Sequence, residues 1–406
     1  MARGRSPLVI IFITVFIDLV GFGIVIPVLP LYAEHMHASP AVIGLLLAVY
    51  SAMTFIFSPI LGKLSDRVGR RPVLLGSIIG TSIGFLIMGL AGSLWLLFLA
   101  RIIDGITGGN ISTAQAYIAD VTPPEKRSSG MGLIGAAFGL GFIFGPAIGG
   151  LLSHVSLGAP FIFAAAMAAC NAIGIYFLLP ESLSREHRTS PRTRESVIRV
   201  FEESGSWQLA AVIATYFFGT IAFALLTAIY ALFTEGRLGF DATHNGYIFA
   251  YLGLIGALIQ GGLIGRLSKR FGDKSLAVTG TFILTASLIL LPMSFTLWVL
   301  LLASTGFAIG NSLVTPTLNA MASRSVSASW QGRVLGVMQS AASLARIIGP
   351  VLGGVLLTQQ DKSSLAYGRA PFWAAAAIMF IAFVLAMTLR GSSQPAGKGA
   401  VTPAEL

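Results

Sequence analysis

Residues 138–152 read FGLGFIFGPAIGGLL, and residues 342–356 read ASLARIIGPVLGGVL. The two stretches align without a gap, so that each carries Gly-Pro followed by Gly-Gly at the same places. A second pair, GKLSDRVGRR at residues 62–71 and GRLSKRFGDK at residues 265–274, precedes them in the same order. Repetition in one order over most of the chain indicates two related halves that are built on one plan.

The composition around these repeats is that of a membrane protein. Of the 406 residues, 55% are hydrophobic and 10% are charged, whereas an ordinary soluble domain carries about 25% charged residues. Apolar runs of about 20 residues, long enough to cross a bilayer, recur along the chain. The first run follows MARGRSP without a small-residue cleavage site, so we expect a retained helix rather than a signal peptide. The sequence predicts an all-α membrane protein with twelve transmembrane helices, at residues 8–30, 41–61, 73–93, 95–118, 130–153, 159–180, 207–233, 245–265, 275–293, 296–319, 333–357 and 370–389.

The longest polar stretch, residues 181–206, divides the predicted helices into six and six. We expect an N-terminal six-helix bundle at residues 1–180 and a C-terminal six-helix bundle at residues 207–390. Residues 181–206 would be a cytoplasmic linker, and residues 391–406 a disordered cytoplasmic tail. Two pseudo-symmetric bundles with an internal repeat are typical of alternating-access transporters, whose site lies near the middle of the membrane between the halves.

Lysine and arginine residues are distributed unevenly between the two predicted sides of the membrane. Twenty-one of the 26 fall in the termini or in loops on the same side as the termini, and three fall on the other side. Positively charged loops stay in the cytoplasm, so we expect both termini there. The net charge of +10 is then a topology signal spread over short loops, and no nucleic-acid partner is expected. Cys170 is the single cysteine, so no intramolecular disulfide can form.

Four charged residues lie well inside the predicted membrane helices, away from their ends: Asp18, Arg101, Asp104 and Arg346. A charge near the bilayer centre costs about 2.5–3.5 kcal/mol, so such residues usually have a function. Arg101 and Asp104 are three residues apart and share a helix face, which allows them to pair. Asp18 lies at a similar depth in the first helix. We predict that these three residues carry proton coupling; the alternative is a static ion pair that fixes helix packing.

The predicted substrate site lies in an apolar and aromatic interior with scattered amides, which suits amphipathic organic molecules. Arg346 is expected to meet an anionic substrate, a backbone carbonyl or Asp18, unless its role is structural. For each aromatic candidate the alternative is a lipid-facing or packing role. The predicted substrate-binding residues besides Arg346 are Asn110, Gln115, Tyr117, Phe142, Tyr230, Asn311 and Gln339.

Glycines of the fifth predicted helix recur at four-residue spacing, which lets two helix backbones approach closely. Pro146 removes one backbone hydrogen bond and bends the helix. Tight packing alone explains this pattern as well as a role in coupling does. The predicted packing residues are Gly141, Gly145, Pro146, Gly149 and Gly150.

Motifs for other chemistry are absent from the sequence. No GxxxxGK[ST] phosphate-binding loop occurs, so ATP is not the expected energy source, and no HExxH pair lies in a predicted membrane helix. We therefore predict that the protein is not an enzyme and has no cofactor and no metal site.

The motifs carry a resemblance to a known family. GKLSDRVGRR resembles the loop motif of the major facilitator superfamily, and GFIFGPAIGG is similar to the helix-five motif of its drug:proton antiporters. FIDLVGFGIVIPVLP, RIIDGITGGN and YIADVTPPEKRSSGMG are similar to the tetracycline-efflux-like group within the twelve-helix drug:proton antiporter family. That group carries acidic residues in helices three and nine, whereas residues 74–90 and 275–293 contain none. The departure argues against tetracycline itself as the substrate.

The resemblance is also the main support for a conformational latch in the loop after the second helix. In this interpretation Asp66 pairs with basic groups or a helix N-terminus of the other half when the cytoplasmic side is shut. The alternative is a loop that only sets topology. The predicted latch residues are Gly62, Asp66, Arg67, Gly69, Arg70 and Arg71.

The sequence and the resemblance together predict a secondary active transporter of the bacterial inner membrane. The favoured function is proton-coupled efflux of small amphipathic compounds or drugs by alternating access, with a role in antibiotic resistance. The first alternative is a proton-coupled uptake symporter on the same fold, and the second is a membrane receptor or channel. The expected partners are a small-molecule substrate, protons and the lipid bilayer, and we expect a monomer.

Overall fold

The computed structural model describes residues 7–123, 127–183, 207–326 and 330–390. Within these residues twelve helices are long and apolar enough to cross a membrane, which confirms the predicted all-α fold class. The predicted tail and most of the predicted linker, residues 391–406 and 184–206, lie outside the described residues. The helices are α1 Pro7–His35, α2 Pro40–Val68, α3 Arg70–Gly89, α4 Leu94–Val121, α5 Arg127–Ser153, α6 Ala159–Leu178, α7 Trp207–Leu238, α8 Ala242–Phe271, α9 Asp273–Met293, α10 Leu297–Arg324, α11 Gln331–Thr358 and α12 Arg369–Thr388.

The helices form two bundles that repeat one packing plan. In the first half α1 packs on α5 and α6, and α3 packs on α4 and α6; in the second half α7 packs on α11 and α12, and α9 packs on α10 and α12. Two helix pairs make most of the contact between the halves: α2 with α11, and α5 with α8. The relation between the halves therefore depends on these two pairs.

The repeated Gly-Pro segments join each bundle internally through close backbone contacts. A Cβ atom added to Gly145 of α5 would lie 2.6 Å from the carbonyl oxygen of Val20 in α1, and one added to Gly141 would lie 2.6 Å from the Cβ of Leu19. In the second half a Cβ on Gly349 of α11 would lie 2.7 Å from a carbonyl oxygen of α7. All three contacts are too close for any larger side chain, so glycine is needed at these places.

The last glycines of the same segments reach the other half. A Cβ on Gly354 of α11 would lie 2.3 Å from the carbonyl oxygen of Pro40 at the start of α2. At the equivalent place in α5, a Cβ on Gly150 would lie 3.0 Å from the Cα of Gly246 in α8. Pro146, one turn earlier in α5, also contacts Gly246 through its carbonyl oxygen. One short motif, used twice, therefore builds both the bundles and the contact between them.

The halves touch at the face opposite the termini, hereafter the opposite face, where several polar contacts join them. Lys362, in the loop between α11 and α12, lies 2.6 Å from Glu34 of α1 and 2.6 Å from Glu235 of α7. The backbone N–H of Ala41 donates to the Thr358 hydroxyl across the α2–α11 contact, at 2.8 Å. Because Lys362 and Glu34 belong to different halves, their ion pair can exist only while this face is closed.

The helices separate toward the face that carries the termini, hereafter the terminal face. A Cβ added to most glycines of α2, α5, α8 and α11 near this face would have no neighbouring atom within 4 Å, in contrast to the tight contacts near the opposite face. Gly130 of α5 is the exception, and its neighbour Ile118 belongs to the same half. The described conformation is therefore closed at the opposite face and open at the terminal face. The open positions are Gly62, Gly132, Gly135, Gly261, Gly262, Gly265, Gly332 and Gly336.

The predicted latch loop lies at the terminal face and is bound to its own half. Arg70 is buried and pairs with Asp66 at 2.7 Å and with Asp120 of α4 at 3.1 Å. The Glu181 carboxylate accepts hydrogen bonds from the backbone N–H groups of Arg70 and Arg71, at the N-terminus of α3. Such a carboxylate stabilises a helix start, because it meets free N–H groups at the positive end of the helix dipole.

The other latch residues form the turn itself. Gly69 has a φ of 113°, which favours glycine because it has no side chain to clash. The Arg71 guanidinium donates to the Tyr176 carbonyl oxygen of α6, whereas the Arg67 side chain is exposed. Asp66 is half-exposed, and its ion pair with Arg70 lies within its own half. The latch thus stays a prediction for the state in which the terminal face is closed.

Removing the Lys362 charge is predicted to favour opening of the opposite face. Burial lowers the pKa of Lys362, but its hydrogen bonds to Glu235 and Glu34 outweigh this effect and raise the pKa above its ordinary value, so the lysine is charged throughout the physiological range. Partly exposed ion pairs contribute about 0–1 kcal/mol each. We expect Lys362→Met to increase labelling of an introduced Ala228→Cys thiol from the opposite face by about two- to fivefold, in a Cys170→Ser background.

The two carboxylates provide a matched control for this prediction. Glu34→Gln removes the contact between the halves and is expected to reproduce Lys362→Met. Glu235→Gln leaves that contact in place, because Glu235 and Lys362 belong to the same half, so labelling is expected to change less. Equal labelling in all three variants and the parent would show that the ion pairs do not hold this face closed.

Asp66→Asn is predicted to increase the population that is open at the terminal face. Loss of the Asp66 charge destabilises the described open state little, because Arg70 keeps two other partners. These are the Asp120 carboxylate and the Ser65 hydroxyl, which lies 2.6 Å from the Arg70 guanidinium. A contact made only in the closed state would be lost entirely. We expect turnover to fall by more than substrate affinity, with greater labelling of single cysteines at the terminal face. Normal turnover with an unchanged labelling pattern would exclude the latch.

Candidate functional site

A break in α4 connects this helix to α1, and these two helices carry the predicted proton-site residues. The helix consists of two segments, Leu94–Thr107 and Asn110–Val121, separated by Gly108 and Gly109. Asn110 begins the second segment, is fully buried, and donates through its side-chain amide to the Asp18 carboxylate at 2.8 Å. The predicted membrane span at residues 95–118 is therefore confirmed, but its helix is interrupted at Gly108 and Gly109. Interrupted membrane helices of this kind expose backbone and side-chain polar groups at transport sites.

Arg101 and Asp104 form the ion pair that their spacing predicts. The Arg101 Nη1 atom lies 3.2 Å from the Asp104 Oδ2 atom, and both side chains are buried. The Arg101 guanidinium also stacks over the ring of Tyr50, at 4.1 Å from the ring centroid. Asp18 lies close enough to Asp104 for the two carboxylates to repel each other. Two acids and one arginine therefore share one part of the first bundle, with Asn110 as a neutral donor.

A cavity lies between the two halves next to this cluster, and we call it the main cavity. It encloses about 70 Å³, which is smaller than the roughly 300–1,000 Å³ of pockets for drug-sized ligands, so a substrate of that size requires side chains or helices to move. Its wall is apolar and aromatic apart from two arginines and three hydroxyl groups. The lining residues are Phe22, Val25, Ile26, Leu47, Tyr50, Ser51, Arg101, Phe223, Ala224, Thr227, Ala228, Arg346 and Pro350.

Arg346 reaches the main cavity from α11 in the second half. Among the described residues its one hydrogen bond is a long contact to the Ser343 hydroxyl of its own helix, at 3.4 Å. Tyr216 and Tyr50 are the titratable side chains within electrostatic range of its guanidinium. Of the three partners considered from sequence, neither Asp18 nor a backbone carbonyl pairs with Arg346 in this conformation.

A second, much smaller cavity of about 10 Å³ lies beside Asp18 inside the first bundle. Polar side chains from three helices line it, namely Thr14, Thr81 and Asn171 together with Asp18. The Thr14 hydroxyl donates to the Asn171 side-chain oxygen at 3.2 Å. Asp18 therefore borders this small polar void and does not line the main cavity itself.

Two tyrosines that the sequence predicted at the substrate site lie elsewhere. Tyr117 is fully buried in the first bundle and donates its hydroxyl to the Pro180 carbonyl oxygen at 2.8 Å. Tyr230 is fully buried in the second bundle, where its hydroxyl is 2.7 Å from that of Ser304 and its ring packs on Phe249. Both hydroxyl groups are hydrogen-bonded within their own bundle, and neither tyrosine lines the main cavity.

The remaining sequence candidates border the site or lie outside it. Phe142 does not line the main cavity but packs on Phe22 with a centroid distance of 6.0 Å. Gln115 and Gln339 are exposed and Asn311 is partly exposed, and none of the three lines the main cavity. Asn110, predicted to bind substrate, is instead the hydrogen-bond partner of Asp18.

The sequence analysis missed several features of the site, among them Phe22, the hydroxyl groups of Ser51 and Thr227, and the α4 break. Phe22 lies four residues after Asp18 on the same helix face, so its position beside the site could have been read from that spacing. The break could have been read from Gly108-Gly109, because two glycines followed by a helix-starting asparagine disfavour a continuous helix.

Comparison with known proteins identifies the family. The sequence matches the family model of the Major Facilitator Superfamily over residues 11–264 and 261–405. It is 37% identical to the tetracycline resistance protein, class C, of Escherichia coli, covering 86% of this chain and 89% of that protein. It is 32% identical to multidrug resistance protein 2 of Bacillus subtilis (strain 168), covering 87% and 89%.

A solved structure agrees with this match over nearly the whole chain. The crystal structure of the human organic anion transporter MFSD10 is similar with a TM-score of 0.71 and 25% sequence identity, covering 95% of this chain and 100% of that one. Twelve membrane helices in two repeated bundles, with charged residues buried near their contact, agree with the family match. The chain therefore belongs to the major facilitator superfamily.

Proposed function

We propose that the protein is a secondary active transporter that exports small amphipathic compounds in exchange for protons. The observation that carries this proposal is the main cavity, which lies between two bundles that are closed at one face only and borders a buried acid–arginine cluster. A site between halves that can open to either face is the arrangement that alternating access requires. The names of the relatives, tetracycline resistance and multidrug resistance, support export of drug-like molecules.

The excess of lysine and arginine on the terminal face supports a cytoplasmic position for that face. The described conformation is then open to the cytoplasm, from which an exporter collects its substrate. We propose residues 1–180 and 207–390 as the two moving bodies, with residues 181–206 as the cytoplasmic linker. The bacterial relatives favour the inner membrane, and the contact between halves within one chain is consistent with a monomer.

Arg101 provides the link between substrate and proton in this proposal. It lines the main cavity and also pairs with Asp104 at 3.2 Å. While the two are in contact, the positive charge of Arg101 stabilises the ionised form of Asp104. A conformational change that separates them favours protonation of Asp104, and a change that restores the pair favours proton release. Asp18, held by Asn110 across the α4 break, is the second proton-binding candidate in the same cluster.

The direction and energy source can be tested in membrane vesicles. In inside-out vesicles with an acidic interior, we expect amphipathic fluorescent dyes to accumulate inside, and we expect a protonophore to abolish the accumulation. Right-side-out vesicles with the pH gradient reversed, so that the exterior is acidic, test the alternative of an uptake symporter. Accumulation in these right-side-out vesicles, driven by protons entering together with the dye, would identify an uptake symporter and would contradict the proposal.

Asp18→Asn and Asp104→Asn are each predicted to abolish transport against a gradient. Asparagine keeps the size of the side chain but cannot bind and release a proton at this site. We expect at least about a tenfold loss of proton-driven accumulation at normal expression, because coupling requires a change of charge. Asp361→Asn, in the exposed loop after α11, is the control and is expected to transport normally. Full active transport in both membrane variants would exclude the proposed proton site.

A further inference from the structure

The main cavity carries positive charge that no acidic residue in its wall balances. Among the described residues, its lining contains Arg101 and Arg346 and no aspartate or glutamate. The two acids of the cluster, Asp18 and Asp104, lie behind the wall, on the side of the first bundle. A molecule in the cavity would therefore face two guanidinium groups and apolar or hydroxyl side chains.

The two arginines differ in how their charge is satisfied. Arg101 has an ion pair with Asp104 at 3.2 Å and stacks on the ring of Tyr50. Arg346 forms no ion pair within the described residues, and its hydrogen bond to Ser343 is long, at 3.4 Å. The hydroxyl groups of Tyr50 and Tyr216 are neutral neighbours. A charge in the membrane interior is costly and is normally paired, so Arg346 is the group that lacks a counter-ion.

The internal repeat shows that the fold does not require a charge at this position. In the alignment of the two Gly-Pro segments, Arg346 of α11 coincides with Phe142 of α5. Phe142 packs on Phe22 of α1, and the bundle forms with an apolar ring at that place. The contact of α11 with α7 rests instead on glycine, because a Cβ on Gly349 would lie 2.7 Å from the α7 backbone. Helix packing therefore does not explain the arginine.

We propose that the substrate is an amphipathic organic anion, whose negatively charged group pairs with Arg346 in the main cavity. The inference rests on the proposed function only in that the main cavity is taken as the substrate site. A carboxylate or sulfonate accepts two parallel hydrogen bonds from a guanidinium, which no neutral group matches in strength. The apolar body of the substrate lies against Phe22, Phe223 and the Tyr50 ring. Arg346 is then the residue that determines charge specificity.

The test is equilibrium binding to purified protein in lipid nanodiscs, with three probes on one skeleton. Pyrenebutyric acid is the anion, its primary amide is neutral, and pyrenebutylamine is the cation. Fluorescence titration, corrected with protein-free nanodiscs, gives a Kd for each. We expect the anion to bind at least about tenfold more tightly than the amide, and the cation to bind most weakly, because a charged hydrogen bond exceeds a neutral one by about that factor.

Variants at Arg346 then test whether this residue causes the preference for the anion. We expect Arg346→Gln to remove the preference for the anion while the Kd of the amide stays within about twofold, and Arg346→Lys to restore part of it. Arg266→Gln, an exposed arginine of the same half outside the cavity, is expected to bind like the parent. Thermal unfolding of each variant shows whether the fold is retained.

Three results would overturn the proposal: equal weakening of all probes in Arg346→Gln, an unchanged anion preference in that variant, or tighter binding of the cation in the parent. Binding is measured without a proton gradient. Failure of proton-driven export with retained anion binding would therefore contradict the proposed function alone, and export of cations with no anion binding would contradict this inference alone.

Discussion

Close contact between helix backbones is the constraint on which this structure depends. In a bilayer the lipid tails are as apolar as the helices, so helices associate through close packing rather than through the hydrophobic effect. Gly44 meets the Pro350 carbonyl across the α2–α11 contact, and Gly253 meets the Phe142 carbonyl across the α5–α8 contact. Both contacts lie toward the opposite face. Because the small residues hold the halves together there, the same helices are free to separate at the terminal face.

The scaffold is symmetric but its chemistry is not. Gly145 contacts Gly23 of α1, and its counterpart Gly349 contacts Ala224 of α7, so these contacts align α1 with α7. In that alignment the position equivalent to Asp18 is Gly219, which cannot bind a proton. The acids and their arginine partner therefore belong to the first bundle, whereas the second contributes Arg346. Duplication supplies two equivalent bundles, and in the proposed function the differences between them separate the proton site from the substrate site.

The contacts that close the opposite face are of a kind that can be broken. The ion pairs of Lys362 are partly exposed, and such pairs contribute little free energy. The glycine contacts gain dispersion energy without directional bonds, so helices can rock over one another at small cost. At the terminal face Arg70 keeps its partners within one half. A transporter needs two states of similar free energy, and this distribution of weak contacts between halves and strong contacts within them allows that.

The sequence by itself determined the twelve helices, the two halves and the four charged residues of the membrane interior, because hydropathy, repetition and charge are properties of the chain alone. It also predicted the Arg101–Asp104 pair, because both residues lie on one helix face. Contacts between helices were decided by the tertiary structure. The α4 break directs Asn110 to Asp18, the carbonyl oxygen of Pro180 accepts the Tyr117 hydroxyl, and Arg346 faces the main cavity without an acid. Periodicity gives the depth and face of a side chain, but which residue it meets depends on how the helices pack.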